Sequence, residues 1–222
     1  MLARRMTHEP VAYIVGYRDF WTIRLKVGPG VLIPRPDSET LIEACLDFAR
    51  HERKAGWPER ILVLGTGPGT LLLAAMSEWP DAQGLGVYAS ETALGYARTN
   101  ATALGLADRA ELKQGNWAEE VTDRFDLILC NPPYIADSEA LMPDVADHEP
   151  AGALFAGADG LDDYRRIIPD LPRILAPGGV AILEIGHTQH ISVSELAEAA
   201  GFKVACRQDL GGRDRALLLT RP

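Results

Sequence analysis

The chain has 222 residues, of which 47% are hydrophobic and 24% are charged, and its formal net charge at pH 7 is −9. This size and composition are typical of one globular core with at most a small appendage, and no apolar run approaches the roughly 20 residues that span a bilayer. An acidic chain without a block of lysine or arginine lacks the basic face that binds a nucleic-acid backbone, so we expect a protein or small-molecule substrate.

The N-terminal region alternates apolar and polar residues over positions 11–33. This period of two predicts a β-hairpin around Tyr17-Arg18-Asp19, and Lys26-Val27-Gly28-Pro29-Gly30 supplies turn signals. We assign residues 1–36 to this hairpin and a linker, and residues 37–222 to a second domain.

A helix is predicted to follow the linker and to continue to about Arg53. Either Asp37 or Ser38 is the expected N-cap, because short polar side chains accept hydrogen bonds from the first N–H groups of a helix. Apolar residues at helical spacing form its buried stripe: Leu41, Ile42, Cys45, Leu46, Phe48 and Ala49.

From Arg60 onward the pattern of strand, glycine turn and helix repeats. The predicted strands are 61–64, 84–88, 110–113, 126–130, 180–185, 203–208 and 216–220, and the predicted helices are 70–78, 91–104, 161–175 and 189–200. Such alternation predicts an α/β fold, a doubly wound and mostly parallel sheet covered on both faces. The closing pair of strands can place one antiparallel strand in this seven-stranded sheet.

The three cysteines, Cys45, Cys130 and Cys206, are far apart and lie in apolar contexts. They are typical of reduced core residues and predict neither a disulfide nor a metal site. The first residues carry a basic pair but no apolar segment of the kind found in signal peptides. We therefore expect a cytoplasmic protein.

A glycine-rich segment, Leu64-Gly65-Thr66-Gly67-Pro68-Gly69, links the strand predicted over 61–64 to the helix that follows it. Glycines there allow a tight turn and let backbone N–H groups approach a ligand closely. Open α/β sheets bind ligands outside the carboxyl ends of their strands, where this loop is expected to lie. The spacing alone fits either a dinucleotide loop or a tight turn without a ligand.

The segment Asn131-Pro132-Pro133-Tyr134 follows the apolar run 125–130, which predicts a buried strand. Two prolines end the hydrogen-bonded ladder and fix the backbone, so the Asn131 amide and nearby carbonyl groups are free to face a ligand. An amide acceptor, rigid carbonyls and an aromatic face suit the binding of a neutral, planar NH2 group. The alternative is a proline-rich turn after a core strand.

Together, the glycine loop and this tetrapeptide resemble the class I S-adenosylmethionine-dependent methyltransferases that modify amide or exocyclic amino nitrogens. The resemblance implies that S-adenosylmethionine is the cofactor and that the loop holds its amino-acid end. The implied cofactor-binding residues are Gly65, Thr66, Gly67, Gly69, Tyr88, Asn116, Trp117 and Asn131.

Further segments narrow the resemblance to the release-factor glutamine N5-methyltransferases, over nearly the whole chain. These segments are 9–16, Phe20-Trp21, 32–39, His148-Glu149-Pro150, 157–161, 164–167, 183–186 and 212–215. The resemblance implies that residues 37–222 are the catalytic domain. It also implies that the substrate is the glutamine of a Gly-Gly-Gln loop in a peptide chain release factor. We further expect a monomer that binds neither nucleic acid directly nor a membrane.

The chemistry of a carboxamide explains the tetrapeptide. The nitrogen is a poor nucleophile because its lone pair is delocalised, so the Asn131 side-chain oxygen and the Pro132 carbonyl are expected to accept its N–H groups and orient it. Tyr134 is expected to cover the flat face of the amide, and Pro133 to complete the substrate site. No general base is required, so His148, His187 and His190 are expected in surface or loop roles.

The chain departs from the family pattern at three positions that usually carry acidic residues for the cofactor. Val63, Tyr88 and Asn116 occupy these positions, and Pro68 removes a possible N–H donor from the loop. One interpretation is an enzyme in which backbone groups, Thr66, Asn116 and Trp117 hold the cofactor with weaker affinity. The alternative is a degenerate methyltransferase that binds a glutamine-containing loop without transferring a methyl group.

A further expectation concerns recognition of the substrate. The family usually carries a helical domain before the hairpin, whereas about ten residues precede Val11 in this sequence. Docking of a release factor is therefore expected to differ from the family pattern.

A third interpretation, a nucleic-acid amino methyltransferase, is disfavoured by the acidic charge and by the lack of a target-recognition region.

Overall fold

The computed structural model describes residues 2–52 and 57–221, and these contain one seven-stranded sheet and one separate two-stranded hairpin. The strands are β1 (Tyr17–Phe20), β2 (Ile23–Lys26), β3 (Arg60–Leu64), β4 (Gln83–Tyr88), β5 (Ala110–Gln114), β6 (Phe125–Cys130), β7 (Leu175–Glu184), β8 (Lys203–Gln208) and β9 (Asp214–Thr220). The helices are α1 (Leu2–Arg5), α2 (Val11–Val15), α3 (Glu39–Glu52), α4 (Thr70–Glu78), α5 (Glu91–Ala103), α6 (Pro143–Ala146), α7 (Asp162–Ile167), α8 (Leu171–Ile174) and α9 (His190–Ala199). None of these described helices is long and apolar enough to cross a bilayer.

The large sheet has the order β5-β4-β3-β6-β7-β9-β8, in which β9 is antiparallel to both of its neighbours and the other pairs are parallel. Side chains of β3 alternate between its two faces, because successive residues of a strand point in opposite directions. Ile61 and Val63 pack with α3 and α4, whereas Leu62 and Leu64 pack with residues of α7, α8 and α9. The predicted doubly wound, mostly parallel seven-stranded sheet is confirmed.

The N-terminal hairpin is also confirmed, but its turn was misplaced. The pairing of Phe20 with Ile23 puts the turn at Trp21-Thr22, and the predicted strand residues Val11–Val15 form a short helix instead. Trp21 adopts a positive φ of 53°, its N–H donates to Glu39 Oε1 at 2.7 Å, and its indole N–H donates to Glu78 Oε1 at 2.6 Å. These tertiary contacts fix a turn that the local sequence does not indicate.

The predicted N-cap of α3 was wrong. A 3₁₀ turn over Pro36–Ser38 precedes the helix, so Asp37 and Ser38 lie inside this turn, and no side chain caps the turn itself. The Ser38 hydroxyl instead donates to the buried Glu184 carboxylate and accepts from Asn131 Nδ2, so its oxygen is directed away from the first N–H groups of α3. Arg53, the predicted end of this helix, lies outside the described residues.

The helix predicted over 161–175 is divided into α7, a 3₁₀ turn over Ile168–Asp170, and α8. Pro169 and Pro172 lie in this segment, and each lacks the N–H that a continuous helix needs. Leu175 already belongs to β7, which therefore begins earlier than the predicted strand 180–185.

Candidate active site at the carboxyl ends of the strands

The central strands place the two predicted motifs side by side. Strand β3 lies between β4 and β6, so the glycine loop after β3 is flanked by Tyr88 at the end of β4 and by Asn131 after β6. A Cβ on Gly65 would lie 3.7 Å from the Asn131 backbone oxygen. At this edge of the sheet lies a cavity of about 320 Å³.

Most residues predicted to bind the cofactor line this cavity. They are Gly65, Thr66, Gly67, Tyr88, Asn116, Trp117 and Asn131. Gly69 does not line the cavity but begins α4 with a positive φ of 91°, where a Cβ would lie 2.8 Å from the Leu73 side chain. Its role in the structure is therefore close packing of the loop against α4.

The glycine loop offers fewer N–H groups to a ligand than its sequence suggests. The N–H groups of Gly65 and Thr66 both donate to the carbonyl of Val87, at 2.9 and 3.1 Å, and so join the loop to the end of β4. The Gly67 N–H has no partner among the described residues and lies in the wall of the cavity. The Gly67 N–H therefore remains available to a ligand.

A polar atom without a partner lies at the base of this loop. The Thr66 hydroxyl oxygen is buried and has no hydrogen-bond partner among the described residues. It lies 2.9 Å from the position of a Cβ on Gly86, and Gly86 is the register partner of the fully buried Val63. Val63 is apolar and therefore offers no acceptor to this hydroxyl.

Asn116 and Trp117 both reach the cavity wall, and their polar groups already have partners. The Asn116 side chain accepts a hydrogen bond from Arg166 at 2.7 Å and donates to Glu119. Trp117 adopts a positive φ of 50°, and its indole N–H donates to Asp163 Oδ1 at 3.0 Å. The Trp117 ring contacts the glycine loop, since a Cβ on Gly65 would lie 3.0 Å from it.

Asp163 is a carboxylate of the cavity that sequence reasoning missed. It lies in the first turn of α7 and lines the cavity together with Arg166. The Asp163 side chain is only 14% exposed, and this burial raises the pKa of its carboxyl group. An acidic residue in the first turn of a helix is common on protein surfaces, so no sequence signal distinguished it.

The Asn131 tetrapeptide is divided between the cavity and the protein interior. Asn131 and Pro133 line the cavity, whereas Pro132 is buried outside its lining. The Tyr134 hydroxyl points toward Glu184 Oε1 at 3.4 Å, and its ring lies beside Gly186. Burial raises the pKa of Tyr134, so this phenol is neutral at physiological pH.

Asn131 is the end of a chain of buried hydrogen bonds that sequence reasoning also missed. Its Nδ2 atom donates to Ser38 Oγ at 3.1 Å, and the Ser38 hydroxyl donates to Glu184 Oε2 at 2.5 Å. Glu184 is 1% exposed, and burial raises its pKa to about 7. A glutamate at the end of an otherwise apolar strand was the available sequence signal.

A second buried carboxylate, that of Glu149, joins two segments of the chain that line the cavity. Glu149 accepts hydrogen bonds from the Ile33 N–H at 2.9 Å and from Arg35 Nη2 at 2.6 Å. These contacts join the linker, which contributes Leu32, Pro34 and Arg35 to the cavity, to the segment that contributes Pro150, Gly152 and Ala153. 

The histidines take no part in the cavity lining within the described chain. His148 Nε2 lies 3.0 Å from the Thr7 carbonyl oxygen, and His190 Nδ1 lies 2.9 Å from Asp214 Oδ2. These placements agree with the expected surface and loop roles of His148 and His190.

Comparisons with known proteins match this chain to methyltransferases. A family model described as the methyltransferase small domain matches residues 48–148. A release factor glutamine methyltransferase from Rhodospirillum rubrum is 46% identical over 224 residues, an alignment that covers 100% of this chain and 67% of that protein. A release factor glutamine methyltransferase from Caulobacter vibrioides is 43% identical over 222 residues, covering 98% of this chain and 75% of that protein.

Solved structures support the fold. The crystal structure of a methyltransferase from Pyrococcus furiosus superimposes with a TM-score of 0.66 and 18% sequence identity, covering 98% of this chain and 96% of that one. At this level of identity the likeness concerns the fold alone, a Rossmann-like sheet with flanking helices.

Proposed function

Because this chain belongs to the release factor glutamine methyltransferases, we propose that it transfers a methyl group from S-adenosylmethionine to the side-chain nitrogen of a glutamine in a peptide chain release factor. The observation that carries the proposal is the position of Asn131, which lies in the wall of the same cavity as the glycine loop. An amide acceptor for the substrate and a site for the methyl donor therefore adjoin each other.

The residues of the cavity fit S-adenosylmethionine, which supplies an electrophilic methyl group on a sulfonium sulfur. Trp117 and Tyr88 offer apolar faces to a planar base, and Gly67 offers a free N–H. The Asp163 carboxylate is the acidic acceptor that the lining provides. We propose that Gly65, Thr66, Gly67, Tyr88, Asn116, Trp117, Asn131 and Asp163 hold the cofactor, with Gly69 shaping the loop.

We propose that the Asn131 side-chain oxygen and the Pro132 carbonyl accept the two N–H groups of the substrate glutamine. This arrangement would point the nitrogen lone pair at the methyl group, with Pro133 and Tyr134 supporting the amide. A C–N bond forms as the S–C bond breaks, and the nitrogen then loses its extra proton to solvent. Positioning alone lowers such barriers by several kcal/mol, so no general base is needed.

The finer assignments belong to the same proposal. The target is the glutamine of a Gly-Gly-Gln loop, the protein acts as a cytoplasmic monomer, and it contacts the release factor rather than nucleic acid. Residues 37–222 form the catalytic domain, and residues 1–36 supply the hairpin and the linker wall. The Arg35–Glu149 ion pair supports a role for the linker in shaping the cavity.

A second candidate function follows from Val63 and Asn116. Val63 puts an apolar side chain where the family carries an acid, and the Asn116 amide is engaged by Arg166 and Glu119. A chain that binds a glutamine loop but holds its cofactor too weakly for turnover would act as a binding module. Calorimetry with S-adenosylhomocysteine separates the two: no heat at millimolar ligand contradicts the enzyme.

The activity is tested with labelled S-adenosylmethionine and a purified release factor, with mass spectrometry locating the methyl group. We expect label on the glutamine of the Gly-Gly-Gln loop and none on a release factor whose glutamine is replaced by alanine. Label on rRNA or DNA but not on the release factor would contradict the proposal.

Asn131→Ala is expected to lower turnover by about a hundredfold or more, because the acceptor that orients the substrate amide is lost. Its affinity for S-adenosylhomocysteine should change far less. Steady-state kinetics and calorimetry on the same preparation check both expectations. Unchanged turnover in Asn131→Ala would contradict the amide-binding role.

A further inference from the structure

We propose that Ser38 and Glu184 are positioning residues, which hold the Asn131 carboxamide with Oδ1 toward the substrate and Nδ2 toward the protein. The inference deepens the proposed function and rests on it. The sequence predicts no role in catalysis for either residue. Ser38 lines the cavity beside Asn131, and Glu184 is joined to the cavity through Ser38.

The hydrogen-bond chain has a defined direction. A serine hydroxyl has one proton to donate and lone pairs that accept. An ionised carboxylate only accepts hydrogen bonds. The Ser38 hydroxyl, whose Oγ lies 2.5 Å from Glu184 Oε2, must therefore donate its proton to that oxygen. The hydroxyl can then only accept from Asn131, which must present Nδ2 to it, as the 3.1 Å contact shows.

This direction decides which Asn131 atom faces the ligand. A carboxamide is nearly symmetric in shape, so shape alone does not choose between its oxygen and its nitrogen. A flipped amide would present N–H donors to the substrate N–H donors and would repel them. Orientation by Ser38 therefore distinguishes a competent site from an incompetent one without any change of packing.

Glu184 is held in place on several sides. Its backbone oxygen accepts from the Tyr164 hydroxyl at 2.7 Å, and Tyr134 approaches Oε1 at 3.4 Å. Arg215 lies close enough to favour the charged form, but the contacts of this guanidinium are with Asp209, Asp37 and the Ile185 carbonyl. The Ser38 hydroxyl is thus the short, direct hydrogen bond that the carboxylate receives.

The cost of this arrangement argues against a purely structural role. Burying a carboxylate without a full ion pair is unfavourable, and an apolar side chain would continue the core pattern of β7 at this position. The retained carboxylate supplies what an apolar residue cannot, an acceptor that fixes the proton of Ser38.

Protonation of Glu184 would remove the direction of the chain. A neutral carboxyl group can donate to Ser38, whose own proton is then free to point at Asn131 Oδ1 and favour the flipped amide. The charged and titratable groups that face Glu184 are Arg215, Asp37, Tyr134, Tyr164 and Cys130. Burial raises the pKa values of Tyr134, Tyr164 and Cys130, so these three groups stay neutral while Glu184 titrates.

The test compares Ser38→Ala with wild type and with Ser38→Thr, which keeps the hydroxyl. We expect Ser38→Ala to lower kcat by about a hundredfold, with the Kd for S-adenosylhomocysteine changed by less than about threefold. Ser38→Thr should recover most of the lost kcat. The matched control is Ser194→Ala, which removes a buried hydroxyl at a different place, on α9. This variant should behave as wild type.

The pH profile separates positioning from packing. In wild type, kcat should fall as the pH is lowered through about 7, the pKa of Glu184. Ser38→Ala should lack this fall, because the link between Glu184 and Asn131 is cut. A wild-type kcat in Ser38→Ala, or a reduced kcat that keeps the same acid limb, would overturn the proposal.

If the Ser38→Ala variant does not fold, a measurement on the wild-type protein alone still tests the proposal. The side-chain NH2 resonances of Asn131 in a ¹H–¹⁵N spectrum should titrate with a midpoint near 7. Resonances that do not move across this range would overturn the positioning role even if the enzyme is active. An inactive wild type with titrating resonances would instead contradict the proposed function and leave the hydrogen-bond chain supported.

Discussion

At the scale of single residues, Val63 stands where the family carries an acid, and the buried Thr66 hydroxyl has no hydrogen-bond partner among the described residues. A buried hydroxyl without a partner loses its hydrogen bonds to water at a cost of about 1–3 kcal/mol. Val63 is the register partner of Gly86 on the neighbouring strand, and the Thr66 oxygen lies 2.9 Å from the position of a Cβ on Gly86. An acid at position 63 would be an acceptor for this hydroxyl.

Val63→Asp is therefore expected to tighten the binding of S-adenosylhomocysteine by about tenfold, the effect of one charged hydrogen bond that orders the loop. Calorimetry on Val63→Asp, Thr66→Val and the double variant measures the coupling between the two side chains. The gain should be much smaller in the Thr66→Val background. An equal gain in both backgrounds would show that the two side chains do not interact.

Asp163 permits a second prediction at this scale. Asp163→Ala leaves the Trp117 indole N–H without its acceptor and removes the partly buried carboxylate of the cavity. We expect the Kd for S-adenosylhomocysteine to rise by about tenfold, as for the loss of one hydrogen bond to a charged group. Asp162→Ala, a change at the exposed neighbour that pairs with Arg165, is the control and should leave the Kd unchanged. Equal effects of the two changes would remove Asp163 from the cofactor site.

At the scale of elements, the linker before α3 is attached to the segment after β6 by one carboxylate. Glu149 is 6% exposed and receives both the Ile33 N–H and the Arg35 guanidinium. Because the linker and this segment both line the cavity, the shape of the cavity depends on their attachment.

Glu149→Ala is expected to destabilise the protein by about 3 kcal/mol, since it leaves a partly buried guanidinium and a buried N–H without partners. Urea denaturation measures the loss, and hydrogen exchange of the Ile33 amide should become faster. Asp19→Ala, which breaks the exposed ion pair with Arg24, should change stability far less. Slow exchange at Ile33 in Glu149→Ala would contradict the attachment.

The differences between predicted and observed elements have local causes. Pro169 and Pro172 lie within the predicted helix 161–175, and their missing N–H groups are the sequence signal for its division. The hairpin turn at Trp21 was beyond local reasoning, because the contacts that hold it come from Glu39 and Glu78.

At the scale of the whole molecule, Glu184 makes stability depend on pH. Its pKa is raised by burial from 4.5 to about 7, so the folded protein binds more protons than the unfolded chain between these values. The contribution of the neutral acid is fully present below pH 4.5 and is lost as the pH rises through about 7.

Glu184→Gln removes this titration. The free energy of unfolding of Glu184→Gln, relative to wild type, should therefore increase by about 3 kcal/mol between the acid and the alkaline side of the transition. Urea denaturation of both proteins at several pH values checks the sign and the window. A difference that does not vary with pH would show that Glu184 titrates normally.

The sequence by itself determined the fold class, the family and the position of the two motifs. Alternation of apolar strands with helices predicts a parallel sheet, and glycine and proline act through their own backbone restrictions. These signals are local, so the Gly65–Gly69 loop and the tetrapeptide at Asn131 were found without a structure.

Only the tertiary structure decided which polar groups remain available. The N–H groups of Gly65 and Thr66 donate to the Val87 carbonyl. The Ser38 hydroxyl donates to Glu184 and does not cap α3, and Asp163 lines the cavity. Each of these facts joins residues that are far apart in the chain, and a buried hydrogen-bonding group takes whichever partner the packing brings near. The orientation of Asn131 toward its substrate depends on such contacts, because the amide that the sequence identifies is directed by Ser38 and Glu184.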